Sequence, residues 1–240
     1  MWNGKKKAIT FSYDDGVTQD KRLVSLFNKY GLRASFNINS ALLSKPGELI
    51  RDGVRVSHNK IDPGELRELY SGHEVAAHTL THPALPELSD GEIVRQVEED
   101  RLRLSELVGY EVIGLAYPGG GVNHDERTVQ IVRERTGIKY ARTIISTGGF
   151  DLCDDLFRVK PTAYHHEDIE ALFRLAEDFL DGDGTEPKLF YIWGHSYEFD
   201  IHDDWGRFEE FCEMISRRDD VFYGTNKEVF FPEEALKKGD

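Results

Sequence analysis

The sequence predicts an α/β fold, a parallel sheet with outer helices, arranged either as an open sheet or as a barrel. Three observations carry this. Short apolar runs alternate with amphipathic stretches along all 240 residues. The polar clusters Asp14-Asp15, His78, Pro118-Gly119 and His195 each end or follow an apolar run, and parallel sheets gather ligand chemistry at the carboxyl ends of their strands. No repeat, low-complexity segment or dividing linker interrupts the chain, so residues 1–240 are expected to form a single domain around one core.

Taken in order, the first strand is expected at Ala8–Tyr13, inside "KKKAITFSYDDG". A secretory signal needs an apolar run of about 7 to 15 residues, and Asp14 cuts this one short. Helix Asp20–Tyr30 and strand Ala34–Ile38 follow. The stretch Leu42–Asn59 is long for a loop in a compact domain and is expected to form a lid or rim. Then come helix Pro63–Ser71, strand Glu74–His78 and helix Asp90–Val108. The last is the best marked: Ser89 and Glu92 have capping-box spacing, and Ile93, Val97, Leu104 and Val108 recur at helical intervals. Strand Val112–Tyr117, helix Asp125–Thr136, strand Tyr140–Ile145 and helix His166–Leu180 continue the alternation. Lys188–Trp193 is almost entirely apolar, as a strand buried on both faces should be. Helix Trp205–Arg218 and strand Val221–Gly224 complete the set.

A net charge of −14 argues against a nucleic-acid partner and against an anionic membrane. Cys153 and Cys212 have no CxxC spacing and read as reduced thiols, pointing to the cytoplasm.

The chemistry lies in four clusters. "SYDDGV" sets two carboxylates side by side at a strand end, where like charges repel and desolvation worsens the repulsion. Taken alone, Asp15-Gly16 is a turn signal. "HTLTH" places His78 and His82 four residues apart; with one carboxylate they make a three-ligand set suited to Zn²⁺ or another divalent transition metal, leaving a position open for water and substrate. "AYPGGG" ends a strand in glycines whose free backbone N–H groups suit an oxyanion hole, and it fits neither nucleotide-binding glycine pattern. "IWGHS" puts His195 at a strand end, where an imidazole can do acid–base work.

In order and spacing, "TFSYDDG", "HTLTH", "AYPGG" and "IWGHS" resemble the motifs of the polysaccharide deacetylases, the carbohydrate esterase family with a NodB-like domain that includes chitooligosaccharide and peptidoglycan deacetylases. The resemblance spans roughly residues 8 to 200. It implies a distorted (β/α) barrel of about seven strands and a metal-dependent hydrolase. The implied reaction removes an acetyl group from an N- or O-acetylated saccharide with one divalent ion, Zn²⁺ first and Co²⁺, Ni²⁺ or Mn²⁺ as alternatives. It implies Asp14 as catalytic base, Asp15, His78 and His82 as metal ligands, His195 as general acid and Gly119 as the oxyanion N–H, with Tyr117 and Trp193 beside the substrate. The paired aspartates then have opposite tasks, Asp15 toward the metal and Asp14 toward the attacking water.

Three departures from the family pattern stand out. The arginine that braces the base is replaced by Ala116. The residue after the acid histidine is Ser196. No aspartate–tryptophan pair orients that histidine, although Asp151, Asp154 and Asp155 lie in a comparable region. Arg142, inside an apolar run, is expected to replace the missing arginine, with Arg158 as the alternative; a buried guanidinium needs a carboxylate partner. His165 and His166 read as a solvated loop. Two other functions remain open: a C–N hydrolase acting on a small cyclic amide or a formamido sugar, and an inactive barrel that binds carbohydrate through its aromatic side chains.

Overall fold

In the computed structural model the described residues are 1–232. β1 (Lys7–Asp14), α1 (Asp20–Tyr30) and β2 (Ala34–Ile38) open the fold. The long stretch after β2 is not structureless. It contains an antiparallel hairpin of β3 (Glu48–Arg51) and β4 (Val54–Ser57) on the rim. Then come α2 (Leu66–Leu69), β5 (Glu74–Ala77), α3 (Asp90–Val94), α4 (Asp100–Val108) and β6 (Gly114–Ala116). α5 (Glu126–Arg135), β7 (Tyr140–Arg142), β8 (Ala163–Tyr164), α6 (Ile169–Asp181) and β9 (Lys188–Gly194) follow. α7 (Glu198–His202), α8 (Trp205–Ile215), β10 (Val221–Tyr223) and α9 (Asn226–Phe230) close the chain.

Seven parallel strands run in the order β7-β6-β5-β2-β1-β9-β8, and β10 pairs with the start of β1. The sheet curls until a bridge between Arg142 and Val159, just ahead of β8, joins its two ends. This is the distorted (β/α) barrel expected of the sequence. Several strands are shorter than expected: Tyr140–Ile145 ends at Arg142, Val112–Tyr117 contracts to Gly114–Ala116, and Glu74–His78 ends at Ala77. Each chain turns out of the ladder where its polar site residues begin. Hairpin β3–β4 and helices α7 and α9 had no expected counterpart, because four- and five-residue elements carry too little periodicity to read.

β1 shows why the site is built as it is. Side chains alternate across a strand. Ile9, Phe11 and Tyr13 join the apolar core, while Thr10, Ser12 and Asp14 enter hydrogen bonds with other buried polar groups. Thr10 donates to Asn226, and Asn37 donates to both Ser12 and Asp14. The barrel thus has an apolar outer layer and a satisfied polar network at its centre.

The expected helix Asp90–Val108 is continuous but holds a π segment at Arg95–Glu99. A π turn breaks the regular carbonyl pattern, and such turns recur at functional sites. Here the Gln96 carbonyl accepts from Leu80 N–H, and the Gln96 side chain bonds Thr81. The helix therefore holds the turn that carries His78 and His82. Ser89 caps it by accepting from Glu92 N–H, as its spacing predicted.

Candidate active site

The carboxyl ends of the strands surround a cavity of about 360 Å³. Its lining includes Asp14, Asp15, His78, His82, Tyr117, Gly119, Trp193 and His195, so the fold gathers these residues from clusters that lie far apart in sequence.

Asp15, His78 and His82 each offer one donor atom, and the three atoms lie within 4.8 Å of one another. Their turns are strained. Asp15 has φ +83°, Thr79 +68° and His82 +62°, a left-handed region that non-glycine residues rarely adopt. Gly16, at φ +60°, has no room for a side chain, since a Cβ would come within 2.8 Å of Ile38. His78 Nδ1 lies 2.8 Å from the Ala116 carbonyl, which leaves Nε2 as the free nitrogen. Its backbone N–H donates to the buried Asp100. Burial pushes the His78 imidazole down to about 4, against the pull of Asp14 and Asp15. Burial raises the Asp15 carboxyl, but the hydrogen bond from His58 and the nearby Lys60 charge outweigh it and hold it well below the usual range. One ionised carboxylate and two imidazoles, converging and braced from behind, suit a divalent ion.

Asp14 has a different principal partner, although its Oδ2 also lies 3.9 Å from His78 Nε2. The Arg142 Nη2 atom lies 2.6 and 2.5 Å from its two carboxylate oxygens, and both side chains are buried. Burial raises this carboxyl, but the Arg142 charge prevails and keeps it below its ordinary value. Arg142 also donates to Ser12 Oγ and to the Thr143 carbonyl, and it packs 4.5 Å from the Trp193 ring centre. In register, Arg142 sits directly across from Ala116 on the neighbouring strand. The guanidinium missing at 116 is supplied one strand over. Arg158 plays no part here, because it pairs with Glu126 and Asp155.

His195 is held by a residue that the sequence reading missed. Its backbone N–H donates to one Glu198 carboxylate oxygen at 3.0 Å, and its Nδ1 lies 3.1 Å from the other. Glu198 also accepts from Arg51 on the hairpin and from the Tyr164 hydroxyl. Burial lowers the His195 imidazole, but the Glu198 carboxylate outweighs it and raises it to about 9. The aspartates considered for this task lie elsewhere. Asp151 pairs with Lys188, Asp155 with Arg133 and Arg158, and Asp154 lines a separate cavity. A clue was present: Glu198 stands three residues after His195, the spacing at which a glutamate reaches back to a helix-start N–H.

One further expectation needs correction. His165 is buried, not part of a solvated loop. Its Nδ1 lies 2.8 Å from the Tyr13 hydroxyl, and its Nε2 lies 3.1 Å from Glu198. Gly194 makes room for it, since a Cβ there would meet the imidazole at 2.4 Å. Ser196 turns inward and donates to the buried Asp20. Trp193 lines the cavity, but Tyr164 stacks on its ring at 4.3 Å and Arg142 lies against it as well. Tyr117 bonds the Phe157 carbonyl and stacks on His124.

Comparison with known proteins agrees with this geometry. The family described as polysaccharide deacetylase matches residues 2–141. The peptidoglycan-N-acetylmuramic acid deacetylase PdaC of Bacillus subtilis is 28% identical over 126 residues, 51% of this chain and 24% of PdaC. The chain therefore spans about a quarter of that relative's length. Two solved structures share the fold. A Mycobacterium smegmatis protein of the polysaccharide deacetylase type aligns with a TM-score of 0.70 at 15% identity, covering 98% of this chain and 92% of that one. The Streptococcus pyogenes deacetylase PplD, solved with acetate, aligns at 0.51 and 19% identity over 62% and 61%. Matched to the family over more than half its length, the chain belongs to the polysaccharide deacetylases.

Proposed function

We propose that the protein is a metal-dependent hydrolase that removes an acetyl group from an acetylated saccharide. The observation that carries this reading is the different partnering of two adjacent carboxylates in one cavity, Asp15 grouped with His78 and His82, and Asp14 paired with Arg142. A binding protein has no need of such a pair, nor of an imidazole kept protonated across the cavity.

Asp15, His78 and His82 would hold the ion, Zn²⁺ by the character of the donors, with Co²⁺, Ni²⁺ or Mn²⁺ able to serve. When bound, it would supply Lewis acidity to the acyl carbonyl and lower the pKa of water. Asp14, kept ionised by Arg142, takes the proton from the attacking water. Gly119, at φ +88° in the cavity wall, offers its backbone N–H to the oxyanion as negative charge develops on the acyl oxygen. His195 carries a proton on each ring nitrogen below its raised pKa. Glu198 holds the Nδ1 side, and the Nε2 proton passes to the leaving amine or alcohol.

The cavity lies at the small end of the range for ligand sites, roughly 300–1,000 Å³, and Arg51 of the hairpin lines it. We favour an acetylated sugar unit or short saccharide as substrate over a long polymer laid in an open groove. Acetate release from N- and O-acetylated saccharides, before and after chelation and metal return, tests the proposal. Metal-independent release, or none from any acetylated sugar, would remove it.

A further inference from the structure

A second group of metal-ligating side chains lies outside the catalytic cavity. Asp52, His166 and His202 each present one donor atom, and these atoms lie within 4.8 Å of one another. They come from three separate parts of the chain: the turn between β3 and β4, the segment just after β8, and the last residue of α7. Asp52 and Gly53 have φ of +53° and +77°, the paired positive values of a tight hairpin turn, which fixes where the carboxylate starts.

The three side chains are gathered without satisfying one another. His166 Nε2 is 3.8 Å from the Asp52 carboxylate, too long for a hydrogen bond. The His166 and His202 ring centres are 4.5 Å apart. His166 Nδ1 is buried and has no hydrogen-bond partner among the described residues. Two imidazoles and a carboxylate at this spacing are a donor set for Zn²⁺ that leaves one position for water. Small side-chain rotations would bring the donors to coordination distance, since Asp52 is 59% exposed and His202 lies at the surface.

We propose that Asp52, His166 and His202 form a second divalent-cation site, separate from the catalytic one, that fastens the rim hairpin to the body of the barrel. The position gives it consequence. Arg51, next to Asp52, reaches into the cavity wall and pairs with Glu198 at 2.7 Å. An ion at Asp52 would hold Arg51 on Glu198 and keep the hairpin over the cavity. With the site empty, the hairpin stays attached through Val56, packed with Val17, Tyr197 and Ile201, and through His58 on Asp15.

The test is metal stoichiometry. The chelator-stripped full chain is titrated with Zn²⁺ by calorimetry, and bound metal is counted after desalting, for the wild type, Asp15→Asn, Asp52→Asn and His202→Asn. About two equivalents are expected for the wild type and about one for each variant, with none in Asp15→Asn/His202→Asn. Asp52 and His202 are surface residues, so folding is expected to survive, and circular dichroism checks it. As a second readout, Zn²⁺ should slow hydrogen exchange of residues 48–57 in Asp15→Asn and leave it unchanged in Asp15→Asn/His202→Asn. Unchanged stoichiometry in both Asp52→Asn and His202→Asn, whatever the wild-type count, overturns the proposal. Failure of the catalytic site would appear separately, as unchanged stoichiometry in Asp15→Asn alone.

Discussion

Replacing Glu198 by Gln tests whether this carboxylate keeps His195 supplied with its proton. The change preserves shape and leaves one oxygen able to accept from either the His195 backbone N–H or its Nδ1, but it deletes the charge. In the native site the imidazole is held at about 9, against burial, chiefly by that charge. Without it, burial is opposed only by the more distant Asp15 and Asp14, and the pKa is expected to return to 6.5 or lower. At pH 8 the protonated fraction then falls from about nine-tenths to about three hundredths, so protonation alone lowers kcat/KM about thirtyfold. The alkaline limb of the kcat/KM profile moves down by about 2.5 pH units or more. Stability follows the same group. A cation with a raised folded pKa stabilises fully below its unfolded value near 6.5 and loses that contribution as pH rises through about 9. Urea midpoints of the native protein should therefore fall between pH 6.5 and 9, and those of Glu198→Gln should fall less. Acetate release against pH and urea unfolding measured in parallel give both readings. An unmoved alkaline limb with native activity at pH 8 would refute the assignment of Glu198.

Other expected outcomes follow from the same geometry. Arg142→Met leaves Asp14 buried without its partner and should cost about 3 to 5 kcal/mol in urea unfolding, part of it recovered when Asp14→Asn is added. Asp14→Asn alone should keep the catalytic ion and lose about a hundredfold to ten-thousandfold in kcat, read by metal analysis and acetate release. Because Ala116 faces Arg142 across the ladder, Ala116→Arg combined with Arg142→Ala should be more active than Arg142→Ala alone. Equal or lower activity would show that the guanidinium cannot approach Asp14 from the neighbouring strand. Asp15→Ala, and His78→Ala with His82→Ala, should each remove one equivalent of bound metal together with all turnover.

Among the described residues, no helix is long and apolar enough to cross a membrane. The sequence by itself determined the alternation of strands and helices, because apolar periodicity is local and survives without tertiary context. It also marked Asp14, Asp15, His78, His82 and His195, since strand ends in a parallel fold must converge on one face. It singled out Arg142 through a physical conflict, a guanidinium in an apolar run that needed a carboxylate. It set that guanidinium against Asp14, with Arg158 as the alternative; only the tertiary structure decided between the two, through the register that sets Ala116 beside Arg142 and the curl that carries β7 to within reach of β1. Glu198, His58 and His165 likewise acquire their meaning from contacts across the barrel. The hairpin that brings Arg51 to Glu198 and Asp52 toward His166 and His202 is two four-residue strands in a stretch that reads as a loop. Pairing between segments far apart in the chain depends on closure of the whole sheet, and closure is a property that no local stretch of sequence carries.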